Sequence, residues 1–161
     1  MDLSVKDRVL TLDVQLNLEG FIAGIDLSDV TDTNAASGAA TYDALRALDR
    51  SALEARFRTF WPTMAGSIVL RSGVHFLRPT LVSVTIPEVS NTNLLRTSKI
   101  RFEANLPALT ETAKIGWARE FGALVVRQVG VADGYEAYLD GGSVSAPIRL
   151  GGGSRLSGWQ T

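Results

Sequence analysis

His75 is the only histidine in this chain and cysteine is absent, so a nucleophile, metal centre or general base must be built around one imidazole or from hydroxyls and carboxylates. His75 lies between Val74 and Phe76, with no HExxH pattern and no second histidine to share a metal. A structural or surface role is the expectation for it. No GxSxG elbow occurs among the serines, and any Ser/His/Asp triad would have to use His75. Asp26, Asp29 and Asp32, with Asn34, place several hard oxygens on one polar stretch, the donor type that a calcium ion takes. Their i, i+3, i+6 spacing does not match the EF-hand loop and lacks its distal glutamate, so turn-forming and helix-capping acids are the competing reading. The carboxylates Glu111 and Glu120, or Asp133 and Glu136, are separated in sequence, and no pattern makes them converge for acid–base work. Gly151, Gly152 and Gly153 neither follow a strand nor open a helix, which removes the phosphate-cradle reading. Tyr135 and Tyr138, with Trp159, form a candidate interaction patch, although sheet packing is a simpler account of the two tyrosines. No catalytic residue and no cofactor is assigned.

Composition narrows the classes further. A length of 161 residues is most economically one domain, large enough to bury roughly 70% of its unfolded surface without staples. Hydrophobic residues make up 45% and charged residues 20%, and the net charge is −1; this balance favours a globular fold and gives no electrostatic footprint for nucleic acid. Absence of cysteine leaves the compartment open, because many periplasmic proteins also lack it. No run approaches the roughly 18 apolar residues of a membrane helix. The opening Met1-Asp2-Leu3-Ser4 has no basic segment followed by an apolar one.

The elements that would position these side chains are mostly strands. From Lys99 to Arg127 the sequence reads as three consecutive strands, the middle of an antiparallel sheet. Ile100, Phe102, Ala104 and Leu106 alternate with Arg101, Glu103 and Asn105, Ile115 and Trp117 follow, and Phe121–Val126 is apolar enough for burial on both faces. Arg8–Leu18 alternates almost without fault, and Gly20 is a bend or bulge beyond which Phe21, Ile22 and Ile25 continue the strand. Leu27–Ala40 has no period and reads as a long loop. A helical insertion follows at about residues 41–61, in two pieces. The first carries Tyr42, Leu45 and Leu48. The second starts at Ser51 in a Ser51–Glu54 capping box, presents Leu53, Phe57, Phe60 and Trp61 as one stripe, turns Arg56 and Arg58 outward, and stops before Pro62. Ser67–Arg71 and Val74–Leu77 form a hairpin across Ser72-Gly73. Leu81–Ile86 points Val82, Val84 and Ile86 inward, Tyr135–Leu139 is a short strand, and Ser145–Leu150 is an edge strand that tolerates Pro147.

Several phrases together resemble the extracytoplasmic N-terminal region of bacterial HupE/UreJ-family membrane proteins: LEGFIAGIDL with the Asp-rich loop after it, YDALRAL with the helix ending in FWP, LRPTLVSVTIPEV, and IGWAREFGALVVRQ followed by YEAYLDGG. They span most of residues 8–150. The resemblance implies a signal peptide ahead of Met1, hydrophobic helices beyond Thr161, and a role for GGGSRLSGWQT as a juxtamembrane linker. It implies placement on the periplasmic face of the inner membrane, with the chain's own transmembrane region and other periplasmic or membrane proteins as partners. The family is associated with hydrogenase and urease accessory functions and proposed metal uptake. This chain lacks a histidine-rich or cysteine-containing metal motif, so no metal ligand is carried over.

The fold expectation is therefore a predominantly antiparallel β-sandwich, with an immunoglobulin-like arrangement as one form of it, over residues 1–150, and a Gly/Ser-rich linker over 151–161. The functional expectation is a non-catalytic extracytoplasmic accessory or interaction domain. A small-molecule, carbohydrate or cation binding module is the alternative, and an enzyme without a recognisable motif ranks last.

Overall fold

The computed structural model describes residues 1–24, 39–87 and 97–151. The fold is a mainly-β sandwich of two mostly antiparallel sheets with helices between the first hairpin and the remaining strands. The described residues form strands β1 (Asp2–Lys6), β2 (Val9–Leu16), β3 (Ile68–Ser72), β4 (His75–Phe76), β5 (Thr80–Thr85), β6 (Ser98–Asn105), β7 (Thr112–Trp117), β8 (Leu124–Gln128), β9 (Glu136–Leu139) and β10 (Ile148–Arg149). Helices α1 (Leu18–Ala23), α2 (Ala39–Arg46) and α3 (Arg50–Gly66) lie between β2 and β3. One sheet has the order β5-β6-β2-β1-β8-β9 and the other β10-β7-β3-β4.

Strand β2 is the spine of the larger sheet. Its alternation buries Leu10, Leu12, Val14 and Leu16, and on β6 these meet Ala104, Phe102, Ile100 and Ser98 in antiparallel register. The smaller sheet turns Ile68, Leu70, Ala113, Ile115 and Ile148 into the same core. Helix α3 adds Leu53, Phe57 and Met64, all fully buried, and Trp61 meets Phe102 of β6 at 5.5 Å between ring centroids. Truncation of a buried phenylalanine such as Phe57 typically costs about 3–5 kcal/mol, so this helix is part of the core.

The three strands read between Lys99 and Arg127 all exist, but they do not pair with one another. β6 lies between β5 and β2, β7 is in the other sheet between β10 and β3, and β8 sits between β1 and β9. Alternation records which face of a strand is dry and carries no information about its neighbours. β8 also has one wet face, with Leu124, Val126 and Gln128 buried and Val125 exposed. It pairs with β1 in parallel, the single parallel pairing among the described strands. Strand β1 itself went unread in the sequence. Its signal is Leu3 and Val5 before a turn in which Asp7 and Arg8 both take left-handed φ, 53° and 62°, the backbone of a type I′ hairpin.

Local chemistry overrode pattern at four further places. Beyond β2 the chain turns into α1 rather than continuing as a strand, because the Asn17 side chain caps Gly20 N–H and Gly24, at φ 73°, closes the C-terminus. Helix α3 is capped by Asp49, whose Oδ1 accepts from Ala52 N–H at 2.8 Å, two residues ahead of the expected Ser51 cap. It runs through Pro62 to Gly66 rather than stopping at Trp61, since Pro62 is exposed and burial of Met64 two residues on holds the last turn against the core. In β5 the register slips between Leu81 and Ser83; this bulge leaves Val82 exposed while Leu81 and Val84 are half-buried.

Candidate functional site

A hairpin forms between β3 and β4 as expected, but its turn is Gly73-Val74, one residue on from the expected Ser72-Gly73. Ser72 and His75 pair across a two-residue turn in which Gly73 has φ 59°, the first central position of a type II′ turn where a side chain would be strained. The turn leaves Val74 and His75 in solvent, and it makes β4 the edge of the smaller sheet. Phe76 follows and is 76% exposed. On one side its ring meets the Arg71 guanidinium, 5.0 Å from the ring centroid. On the other side of the segment lies the C-terminal turn of α3.

Between them opens a cleft of about 500 Å³, lined by Trp61, Pro62, Ala65, Phe76, Arg78 and Pro79 among others. It follows from sequence through two local facts. Trp61 belongs to the stripe that also buries Phe57, and its ring stands 6.2 Å from Phe57 and remains half-buried rather than fully covered. Pro79 is buried and ends the β4 segment, so the chain must cross here to reach β5 in the other sheet. The walls are aromatic, aliphatic and prolyl. Among the described residues Arg78 is the single ionisable side chain in the lining, and it is exposed.

The residues singled out by type fall elsewhere. Asp26, Asp29, Asp32 and Asn34 lie outside the described residues. His75 is exposed one residue from the cleft lining, and among the described residues no three His, Cys, Asp or Glu side chains gather in a way that could hold a metal ion. Tyr138 is 68% exposed on β9, the edge of the larger sheet, opposite Val125 of β8, which is also exposed. Tyr135 is half-buried. Burial pushes its phenol pKa above the ordinary tyrosine value, and a hydrogen bond with the Ala146 backbone opposes the shift. The nearest exposed apolar neighbour of Tyr138 is thus Val125, across the ladder. The Arg101 guanidinium is held further toward its charged form by hydrogen bonds to Asp13, 2.7 and 3.1 Å, on the wet face of the larger sheet. Neither group reaches the cleft.

Two structural residues invisible to motif reading position the ends of the sandwich. Gln128 is buried, donates from Nε2 to Arg149 O at 2.7 Å, and accepts the Tyr135 N–H at 3.0 Å. It ties β8 of one sheet to β10 of the other. Trp117 donates from its indole to Gly122 O at 2.9 Å and packs edge-on against Phe21 and Phe121, which fastens α1 over the end of β7. No helix among the described residues is long and apolar enough to cross a membrane.

No family model matches the chain, and a search of curated proteins finds no match.

Proposed function

We propose that this chain is a non-catalytic interaction domain that docks a partner protein in the cleft between Trp61 and Phe76. In the context that the HupE/UreJ resemblance implies, it is the extracytoplasmic accessory domain of a membrane protein, where such docking would recruit a partner or gate access to the membrane portion. The observation that carries the reading is the cleft itself. An aromatic side chain 76% exposed at its rim, beside a second aromatic and two prolines, is the composition of an interface anchor site. Its lining holds one cation and no carboxylate, which fits an apolar anchor flanked by acidic residues and offers no proton-transfer pair. A second reading, a small-molecule or carbohydrate site, is favoured by the volume, about 500 Å³, inside the roughly 300–1,000 Å³ range of ligand pockets.

Backbone amide shifts measured with a defined panel separate the two. The panel holds acidic peptides carrying one Leu, Phe or Pro anchor, neutral counterparts of the same peptides, and neutral oligosaccharides. The interaction reading expects the acidic peptides to shift residues 61–66 and 76–79, the effect to weaken at high salt, and Phe76→Ser to abolish it without loss of signal dispersion. Saturating shifts from oligosaccharides alone transfer the cleft to the second reading, and an unresponsive cleft removes both. Membrane fractionation of the native protein tests the extracytoplasmic placement separately.

A further inference from the structure

On the outer face of the smaller sheet, Arg71 of β3 and Lys114 of β7 are direct partners in the antiparallel register. Such partners have Cβ atoms about 5 Å apart, and like charges placed there repel. The arrangement has no compensating acid. No carboxylate lines the small pocket between them, which is formed by Arg71, Gly73, Thr112, Ala113 and Lys114, and the ion pairs among the described residues involve neither cation.

Arg71 carries a second anomaly. Its Nε is shut off from solvent and has no hydrogen-bond partner, although a buried donor left unmade is costly. The ring of Phe76 lies against the guanidinium, 5.0 Å from its carbon to the ring centroid, and supplies no hydrogen-bond acceptor for its in-plane N–H groups. Two like-charged side chains, Arg71 and Lys114, and the hydroxyl-bearing Thr112 thus line a single cavity. Its volume is about 140 Å³, room for four or five waters at about 30 Å³ each, or for one small anion.

We propose that this pocket is an oxyanion site, taking one phosphate, sulfate or carboxylate group with Arg71 as the planar donor fork and Lys114 as the point charge. A guanidinium supplies paired N–H donors matched to two oxygens of such a group, and an ammonium supplies charge without demanding an angle. Bound there, the anion would screen the Arg71–Lys114 repulsion across the ladder. Lys114 and Thr112 do not line the Trp61–Phe76 cleft, so Lys114→Gln tests this site without altering the docking cleft.

The test follows the Arg71 Nε–H resonance and the backbone amides of residues 71–73 and 112–114 during titration with inorganic phosphate, sulfate and acetate, each against chloride at matched ionic strength. The expected result is saturable movement of these signals by at least one oxyanion and not by chloride. Lys114→Gln should weaken binding roughly tenfold, the worth of one charge-assisted bond, and Arg71→Gln should abolish it, both with signal dispersion intact. Saturation by phosphate and sulfate without acetate assigns a phosphate-type ligand; saturation by acetate as well assigns a carboxylate-bearing one. Movement that is linear, equal in chloride or unchanged in Lys114→Gln overturns the site.

Discussion

Glu19 and Arg46 offer the sharpest test of how the helical layer is held. Glu19 lies in the first turn of α1 and Arg46 ends α2. Their side chains are 0% and 4% exposed, and Arg46 Nη1 donates to Glu19 Oε2 at 3.2 Å. At that separation and an effective dielectric constant of about 20, the Coulomb attraction is about 5 kcal/mol, but removing both ions from water costs several kcal/mol each. The pair as a whole is therefore close to neutral, whereas truncating one partner strips this attraction from a buried charge. Arg46→Met and Glu19→Leu should each destabilise by about 3–5 kcal/mol, while the double variant should recover most of that loss. Against a typical domain stability of about 5–15 kcal/mol, the single variants fall well within range of measurement. Urea unfolding monitored by circular dichroism reads this directly, with the m-value checked for constancy. Single losses below about 1 kcal/mol, or a double variant that loses the sum of the singles, would refute the account, because both results require the two charges to be energetically independent.

Gly116 offers a test of packing inside the smaller sheet, between Val69 of β3 and the bridge to Val144. A Cβ there would clash with the Ser143 carbonyl oxygen, so Gly116→Ala should cost about 1–3 kcal/mol. Gly66→Ala is the control: it meets nothing within 4 Å and should be neutral or stabilising by up to about 1 kcal/mol. Tyr135 predicts a limb of the pH–stability curve. Its folded pKa lies above the unfolded value of 10.0, so the native state holds the phenolic proton more tightly. The stabilisation is complete below pH 10 and is lost as pH rises through the folded value. Comparison with Tyr135→Phe isolates this limb, and superimposable alkaline profiles for the two proteins would contradict it.

What could be read from sequence and what could not divide along the range of the interactions. The alternation in β2 and β6 was legible because side-chain direction along a strand has a period of two whatever the partner. The stripe of α3 was equally plain, down to Leu53, Phe57 and Trp61. Misreadings arose where a single local interaction outweighed a pattern. The Asn17 cap converted an apolar continuation into α1, and the bulge at Leu81/Ser83 reversed the face of Val82. The candidate sites were less legible still. Phe76 reads as an ordinary strand residue, and its exposure follows only from β4 being an edge. Arg71 and Lys114 are 43 positions apart by their numbers and become partners through the β3–β7 register.

The sequence by itself determined that this is a β-rich sandwich-forming chain with a helical insertion, and it determined the core faces of β2, β6 and α3. Those properties reside in alternation, caps and turns, each spanning a few residues. Tertiary structure alone decided that β6, β7 and β8 separate into different positions of two sheets, that β1 and β8 lie parallel, and that Trp61 meets Phe76 across a cleft while Arg71 meets Lys114 across a ladder. Strand pairing is chosen by the best joint burial of all faces at once, a property of the whole chain that no local window contains.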